Sequence, residues 1–392
     1  MTGYRTRRVA RLLMIVALSG SGLAAAAGCR GRRARRQTPG EGHAANQGEP
    51  PPWLVFRGAS DASSAVALGE RAFLVADDEN NVLRAYDTEG GACLFRFDLT
   101  AFLAIAAESP EADIEGGARV GDRAYWITSH GRNRKGKWRP NRCRFFATEI
   151  LAEPGGPPVR GIGRPYRELA ERLVADRDVR AACPHLPGSY RRERANGDGT
   201  GRLAPKQHGL NIEGLCAGAD GNSLLIGLRN PLASPRGASD RRAIVVPLLN
   251  PAEVVEQARP PRFGRPMLWR LGGLGIRDMV RSDHHGATFV IAGPPEGGGR
   301  AVLYRWSEKA DEQPVPLKDL ESAGLGWCPE GLVAFSRSPR LLVLSDDGSL
   351  PVPVAGPSEC LDAEDYRDDG TCLNKHLRDE SRKSFRARWI LP

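Results

Sequence analysis

Apolar and polar positions along the chain form a hairpin pattern that recurs. The segment from Asp61 to Asp78 aligns without gaps onto the segment from Asp113 to His130, and each contains two apolar stretches separated by a glycine. Short apolar runs joined by a tight glycine turn are typical of β-hairpins. The pattern therefore predicts two copies of one hairpin unit.

Three further copies occur later in the chain, and they begin at Asn211, Gly275 and Cys328. Each copy is followed by room for outer strands, and the apolar segments that could form them are 82–86, 144–151, 243–248 and 301–306. A hairpin unit cannot bury both of its faces alone, and stacking such units around an axis closes the array. An all-β fold, a β-propeller of five or six blades, is therefore favoured over the alternative of a β-sandwich.

The stretch of about 152–207 interrupts the repeat. Within 166–182, Leu169, Leu173 and Val174 stand among charged residues at helical spacing, which indicates a short amphipathic helix. We interpret this stretch as an insertion on one rim of the propeller. A diverged sixth repeat is the alternative.

The beginning of the chain has the composition of an export signal. A basic head precedes an apolar stretch from Leu12 to Ala27 that is short for a bilayer span and ends in small residues. We predict a signal peptide over residues 1–28, with a membrane-anchoring helix as the alternative. The run that ends in Cys29 also resembles a lipobox, in which the cysteine becomes lipid-modified; ordinary cleavage is the other option.

The export signal sets the expected organisation and location. Residues 29–52 hold hardly any apolar side chains and are predicted to be a disordered tether, and residues 53–392 are the predicted propeller domain. We expect a monomeric, exported bacterial protein, either periplasmic or anchored to the outer membrane. Its only predicted membrane contact is a lipid on Cys29.

Charge is distributed unevenly along the chain. The formal net charge is +9, of which residues 1–50 carry +7, so the remainder is nearly neutral. A nucleic-acid-binding domain normally has a basic surface of its own. The sequence therefore predicts no nucleic-acid partner.

Seven of the eight cysteines follow Cys29. In an oxidising compartment they are expected to pair mostly as disulfides, with one thiol left over. Cys360 and Cys372 are the preferred pair, because they would staple a loop rich in Asp and Gly. A zinc site is the competing interpretation, but the spacing of the cysteines and histidines does not fit one.

In four of the five aligned repeats a charged residue occupies one equivalent position of the first strand, and the fifth has a serine there. These residues are Ser63, Glu115, Glu213, Arg277 and Glu330. The first strand of each propeller blade lines the channel, so we expect them to form a ring at one depth. Three carboxylates at one level repel one another unless a cation compensates.

Two kinds of compensation are open. A hard ion such as Ca²⁺ would bind Glu115, Glu213 and Glu330. Alternatively, arginines would neutralise these residues in ion pairs that tie the blades together.

The exits of the second strands supply a second set of candidates. Arg132, Arg229 and Asn230 at these exits, together with Arg277 of the first-strand ring, are the predicted binders of a small anionic ligand or phosphoester, because arginine presents a fork that suits phosphate and carboxylate. His130 is the candidate acid or base, since histidine titrates near neutral pH. A histidine that only satisfies its turn is the alternative.

Several short boxes are shared with known proteins. The Ile-Glu-Gly boxes at 114–116 and 212–214, the Pro-Glu-Gly box at 329–331 and the box from Gly227 to Pro231 resemble a family of exported bacterial proteins that carry a domain of unknown function. More distantly, the recurring Glu-Gly is similar to esterase-like phytases and gluconolactonase-type propellers. That second resemblance implies a metal bound by such a Glu in the channel.

Two function classes follow from these observations. One is a propeller that binds an anionic ligand or a metal ion at its channel. The other is a metal-dependent ester or phosphoester hydrolase. Common serine hydrolase, nucleotide-binding and zinc protease motifs are missing from the sequence.

Overall fold

Each of the five predicted hairpins forms, and each supplies the two innermost, antiparallel strands of one sheet. Their first strands are Ala62–Ala67, Ile114–Val120, Asn211–Ala217, Gly275–Ser282 and Pro329–Ala334. Their second strands are Ala72–Asp77, Arg123–Thr128, Leu224–Asn230, Ala287–Gly293 and Leu341–Ser345. The computed structural model describes residues 53–151, 158–190, 203–206, 208–235, 240–298, 300–320 and 326–392. The predicted signal peptide and tether lie outside the described residues.

The outer strands complete four of the sheets in chain order, whereas blade five takes two of its strands from the beginning of the domain. Blade one adds Val82–Asp87 and Phe95–Asp98, and blade two adds Phe145–Ile150 and Val159–Tyr166. Blade three adds Ala243–Leu248 and Met267–Trp269, and blade four adds Val302–Trp306 and Val315–Asp319. Blade five adds Ser384–Ile390, Leu54–Arg57 and Gly91–Ala92.

The five sheets are arranged around one axis. The first strand of each sheet packs against the first strands of the sheets before and after it, and the first strand of blade five packs against that of blade one. The fold is therefore a five-bladed β-propeller. The possible sixth repeat does not form a blade, because the segment after residue 158 supplies the outermost strand of blade two.

The ring is closed by the two ends of the domain. Leu54–Arg57 pairs antiparallel with Ser384–Ile390, so blade five contains strands from both ends of the described chain. Phe56 on the first strand stacks on Phe385 of the last, with ring centroids 4.9 Å apart. This strand pairing connects the two ends of the described chain within blade five and so holds the ring of blades closed without a covalent bond.

The core lies between neighbouring blades. Successive residues of a strand face opposite sides of the sheet, so each blade contributes apolar side chains to both neighbours. One cluster joins Leu74 of blade one to Trp126 and Phe146 of blade two. Trp126 is completely buried, and its indole N–H donates to Thr148 Oγ1 at 3.1 Å.

The predicted helix on the rim is confirmed, although it is divided. Leu169–Ala175 and Arg177–Ala182 are separate helices, and two more are Leu186–Ser189 and Pro251–Gln257. The division occurs at Asp176, whose carboxylate accepts from the backbone N–H groups of residues 178 and 179 and so begins the second helix. Leu169, Leu173 and Val174 are buried, as their spacing predicted.

A second insertion follows the second strand of blade five. It contains the hairpin of Pro351–Pro353 and Thr371–Leu373, and the 3₁₀ turns Pro357–Glu359, Ala363–Asp365, Asn374–His376 and Glu380–Arg382. A further 3₁₀ turn, Pro140–Arg142, lies in blade two. Cys360 and Cys372 lie with Leu377 in one small apolar cluster, as free thiols. Their pairing as a disulfide stays a prediction.

No helix among the described residues combines the length and the apolar character that a bilayer span requires. The predicted signal and lipid anchor involve residues outside that part of the chain.

Candidate functional site

A β-bulge occurs at the same place in all five inner hairpins. In blade two, Ile114 pairs with Thr128 and Gly116 pairs with Ile127, which leaves Glu115 without a partner in the ladder. The corresponding shifts in the other blades skip Ser63, Glu213, Arg277 and Glu330. A bulged residue is released from the pairing and its side chain is redirected. The bulge that recurs in every blade therefore explains why these five residues occupy equivalent positions.

A cavity of about 330 Å³ lies among these positions. Glu115, Glu213 and Glu330 all line it, so three residues that are far apart in sequence come together. The exits of the second strands line it as well, through Asp78, Arg229 and Asp346. The other lining residues are Glu79, Glu111, Asp113, Arg134, Arg142, Ala204, Pro205, Lys206 and Asn211.

Glycine beside the bulge allows the inner strands to approach closely. A Cβ atom on Gly116 would lie 3.0 Å from the backbone oxygen of Glu213 in the next blade and 2.8 Å from Ile127 Cγ2. Real side chains almost never come so near. Gly116 therefore allows the inner strands of blades two and three to pack closely next to the cavity-lining Glu115.

Two of the three glutamates are held by arginines. Arg229 Nη1 donates to Glu213 Oε1 at 2.7 Å, and both residues are buried, at 3% and 4% exposure. Arg277 Nη1 donates to Glu330 in a short hydrogen bond. Gly293 provides the room for Arg277, because a Cβ atom there would lie 2.3 Å from Arg277 Nε. Glu213 and Glu330 therefore carry compensated charges.

Glu115 differs from the other two. Within the described chain its carboxylate has neither an ion pair nor a hydrogen bond. Burial, followed by the negative charges of Glu213 and Asp113, raises the pKa of Glu115 well above its usual range. Burial and the neighbouring negative charges therefore disfavour the ionised form of this side chain.

Asp78 and Asp113 complete a close group with Glu115. One carboxylate oxygen from each of the three lies within 4.8 Å of the others. Asp78 Oδ1 is enclosed and has no hydrogen-bond partner among the described residues, and burial raises the pKa of Asp78 well above its usual range. Asp113 is 5% exposed and forms an ion pair with Arg142, with 3.0 Å between Oδ2 and Nη1. This group has the donors of a cation site.

Other acidic groups adjoin it. Asp61, Asp78 and Glu79 form one close group, so Asp78 is shared by two groups, and Cys328, Glu330 and Asp346 form another. Glu79 is paired with Lys375, with 2.5 Å between Oε1 and Nζ. Burial and the charge of Glu330 raise the pKa of Asp346 to about 7.

The remaining predicted site residues lie outside the cavity lining. His130 is fully buried, and its Nδ1 is 2.8 Å from the carbonyl oxygen of Thr128. Burial lowers the pKa of His130 to about 4. Arg132 lies over the ring of Trp138 at 5.7 Å, and Asn230 Nδ2 donates to the backbone oxygen of Gly209 at 2.7 Å. The structure does not bring these three to Glu115.

Sequence reasoning missed Asp78, Asp113 and Asn211. The signal that could have found two of them was present, because Asp113 is the repeat equivalent of Asp61 and Asp78 is the equivalent of His130. Asn211 precedes the Ile-Glu-Gly box, and its Nδ2 donates to Glu213 Oε1 at 2.7 Å. Its Oδ1 is buried without a hydrogen-bond partner in the described structure.

Fold and site together define a five-bladed propeller with an acidic cavity at one end of its channel. Residues 62–152 and 198–323 match the family described as "Protein of unknown function (DUF3616)". These ranges cover more than half of the chain, so the protein belongs to that family. The predicted relationship to a family without an assigned function is confirmed.

Solved structures show a remote likeness. The glutaminyl cyclase of Myxococcus xanthus has 10% sequence identity, with 88% of this chain and 100% of that chain covered and a TM-score of 0.38. The β-propeller domain of Cps50 (Swd1) from Myceliophteria thermophila has 8% identity, with coverages of 73% and 93% and a TM-score of 0.30. Curated proteins give no match. The propeller assignment depends on the sheet order described above.

Proposed function

We propose that this protein binds one hard divalent cation such as Ca²⁺ in the acidic cavity, through Asp78, Asp113 and Glu115. The observation that carries the proposal is the close approach of three carboxylates, in which Asp78 Oδ1 and the Glu115 carboxylate have no hydrogen-bond partner among the described residues. Charged groups in a protein interior are normally paired or bound to metal.

The charge of the cavity favours a cation over an anion. Its lining holds eight acidic side chains and four basic ones, and four of the acidic ones, Glu111, Asp113, Glu213 and Glu330, have arginine partners. Ca²⁺ takes six to eight oxygen ligands and accepts neutral carbonyl groups beside carboxylates. Asn211 Oδ1 is such a carbonyl, on a side chain that is 4% exposed.

Cation binding would also stabilise the ionised forms of Asp78 and Glu115. The pKa values of Asp78 and Glu115 are raised because their ionised forms are buried among like charges. A divalent ion stabilises the ionised forms, so its binding should release protons.

The proposal revises the predicted ligand set. It keeps Glu115 and replaces Glu213 and Glu330 with Asp78 and Asp113, because a carboxylate oxygen of each of these two lies within 4.8 Å of Glu115. The hydrolase alternative has less support, since His130, its expected acid or base, is buried outside the cavity lining.

Thermal unfolding with and without Ca²⁺ tests the proposal. A ligand at 100 times its Kd stabilises a protein by about 2.7 kcal/mol, which raises the Tm. We expect this shift for the chelator-treated protein after Ca²⁺ is added. It should be lost in Glu115→Gln and in Asp113→Asn; asparagine tolerates the φ of 62° at residue 113.

Glu312→Gln is the matched control, because Glu312 lies on the outside of blade four, where it is half exposed and paired with Lys309. Its Ca²⁺-dependent shift should equal that of the wild type. A Tm that does not respond to Ca²⁺ in the wild type would overturn the proposal.

A further inference from the structure

The cavity is acidic on one side and basic on another. Blades one, two and five contribute most of the carboxylates, whereas Arg229 of blade three and Lys206, in the segment before that blade, supply positive charge. The nitrogens Lys206 Nζ and Arg229 Nη2 converge on Gly297. A Cβ atom at that position would lie 3.3 Å from Nζ and 3.5 Å from Nη2, so the two nitrogens are at most about 7 Å apart.

Two like charges this close disfavour each other unless an anion lies between them. Arg229 donates its Nη1 to Glu213, which leaves Nη2 on the side of Lys206. Lys206 is exposed to the cavity and forms no ion pair within the part of the chain that the structure describes. Of the two positive charges on the basic side, that of Arg229 is therefore balanced by Glu213, whereas that of Lys206 has no acidic partner among the described residues.

The acidic and basic sides meet at Glu115. This carboxylate lies within electrostatic range of the acidic Asp113 and Glu213 and of the basic Arg229. A cation held by Glu115 would thus face the two basic nitrogens across the same cavity. Its volume of about 330 Å³ is at the small end of the range for small-molecule pockets, roughly 300–1,000 Å³.

We infer that Lys206 and Arg229 form an anion subsite, and that the cavity binds a small oxyanion such as a phosphate group between these side chains and the cation. The inference rests on the proposed function, because the cation supplies the other half of the binding charge. Lysine acts on phosphate as a point charge and arginine as a fork of donors, and phosphate oxygens are common ligands of hard cations.

Binding of inorganic phosphate to the full chain, measured by equilibrium dialysis, tests this inference. Phosphate is kept below the concentration at which its calcium salt precipitates, and Ca²⁺ is either saturating or removed by chelation. We expect binding that is at least tenfold tighter with Ca²⁺. Lys206→Met should weaken it at least tenfold, whereas Lys206→Arg should stay within about threefold of the wild type because the charge is kept.

Lys309→Met is the matched control. Lys309 is a surface lysine of blade four with a 72% exposed side chain, so its loss should leave phosphate affinity unchanged. Ca²⁺ affinity, measured separately, should survive in Lys206→Met.

The two hypotheses fail in different ways. A wild type that does not bind Ca²⁺ removes the proposed function. Intact Ca²⁺ binding with phosphate affinity that is equal in Lys206→Met and the wild type overturns the anion subsite alone, and so does phosphate binding that ignores Ca²⁺.

Discussion

The buried pair of Glu213 and Arg229 provides a quantitative test of the channel architecture. Their charges are 2.7 Å apart and almost inaccessible to solvent. At an effective dielectric constant of about 20, two unit charges at that distance attract by about 6 kcal/mol before desolvation is subtracted. Removing one partner of such a pair leaves the other charge buried, which costs about 3–5 kcal/mol.

We therefore expect Arg229→Met to lower the free energy of unfolding by about 3–5 kcal/mol. Among the described residues, the carboxylate of Glu213 would retain the hydrogen bond from Asn211 Nδ2, and it would remain near Glu330 and Arg277. The double variant Arg229→Met with Glu213→Gln should recover part of the loss, because no unpaired charge is then buried. A coupling energy of about 2 kcal/mol or more between the two sites is expected.

Urea unfolding of the wild type, of the single variants Arg229→Met and Glu213→Gln, and of the double variant measures these values; tryptophan fluorescence is the signal. Lys309→Met is the control, since it breaks an exposed pair with Glu312 and should cost less than about 1 kcal/mol. A loss below about 1 kcal/mol in Arg229→Met, or a double variant no more stable than the single one, would refute the reasoning.

Three further predictions concern other parts of the propeller. The pKa of His130 is about 4 in the folded state, whereas that of a histidine in the unfolded state is about 6.5. Below pH 6.5 the unfolded state therefore binds a proton that the folded state does not. By pH 4 this lowers the free energy of unfolding by about 3 kcal/mol. His130→Asn should show a shallower loss between pH 7 and 4 in urea titrations, and equal slopes would contradict this. Phe56→Ala should cost about 3–5 kcal/mol by opening the closure of blade five, whereas Val55→Ala, at a 41% exposed position of the same strand, should cost less than about 1; similar losses would argue against the closure. Peptide mapping of exported protein should find Cys360 and Cys372 linked, and complete alkylation of both thiols without reduction would exclude the bond.

Local pattern predicted the repeating part of the fold well. Two apolar runs and a glycine turn specify a hairpin through neighbouring residues. The helical spacing of Leu169, Leu173 and Val174 among charged residues specified a helix in the same way. The blade count was left open between five and six, because the segment from residue 159 has no repeat signal and its strand depends on pairing with Phe145–Ile150. The closure by Leu54–Arg57 was also missed, since its partner is more than 300 residues away in sequence.

The site was predicted in part for a related reason. Alignment of the repeats identified Glu115, Glu213 and Glu330, because the bulge recurs at the same place in every blade. It did not place His130, whose buried ring lies against the carbonyl oxygen of Thr128 and outside the cavity lining. Asp78 was overlooked although the alignment places it opposite His130, because its closeness to Asp113 and Glu115 is visible only in the fold.

The central claim is that a divalent cation binds between Asp78, Asp113 and Glu115. Crystals soaked in Ca²⁺ and measured at a long X-ray wavelength would locate the ion by its anomalous scattering. The account predicts one peak about 2.3–2.6 Å from a carboxylate oxygen of each of these residues. An empty cavity in saturating Ca²⁺, or a peak held only by other carboxylates, would contradict it.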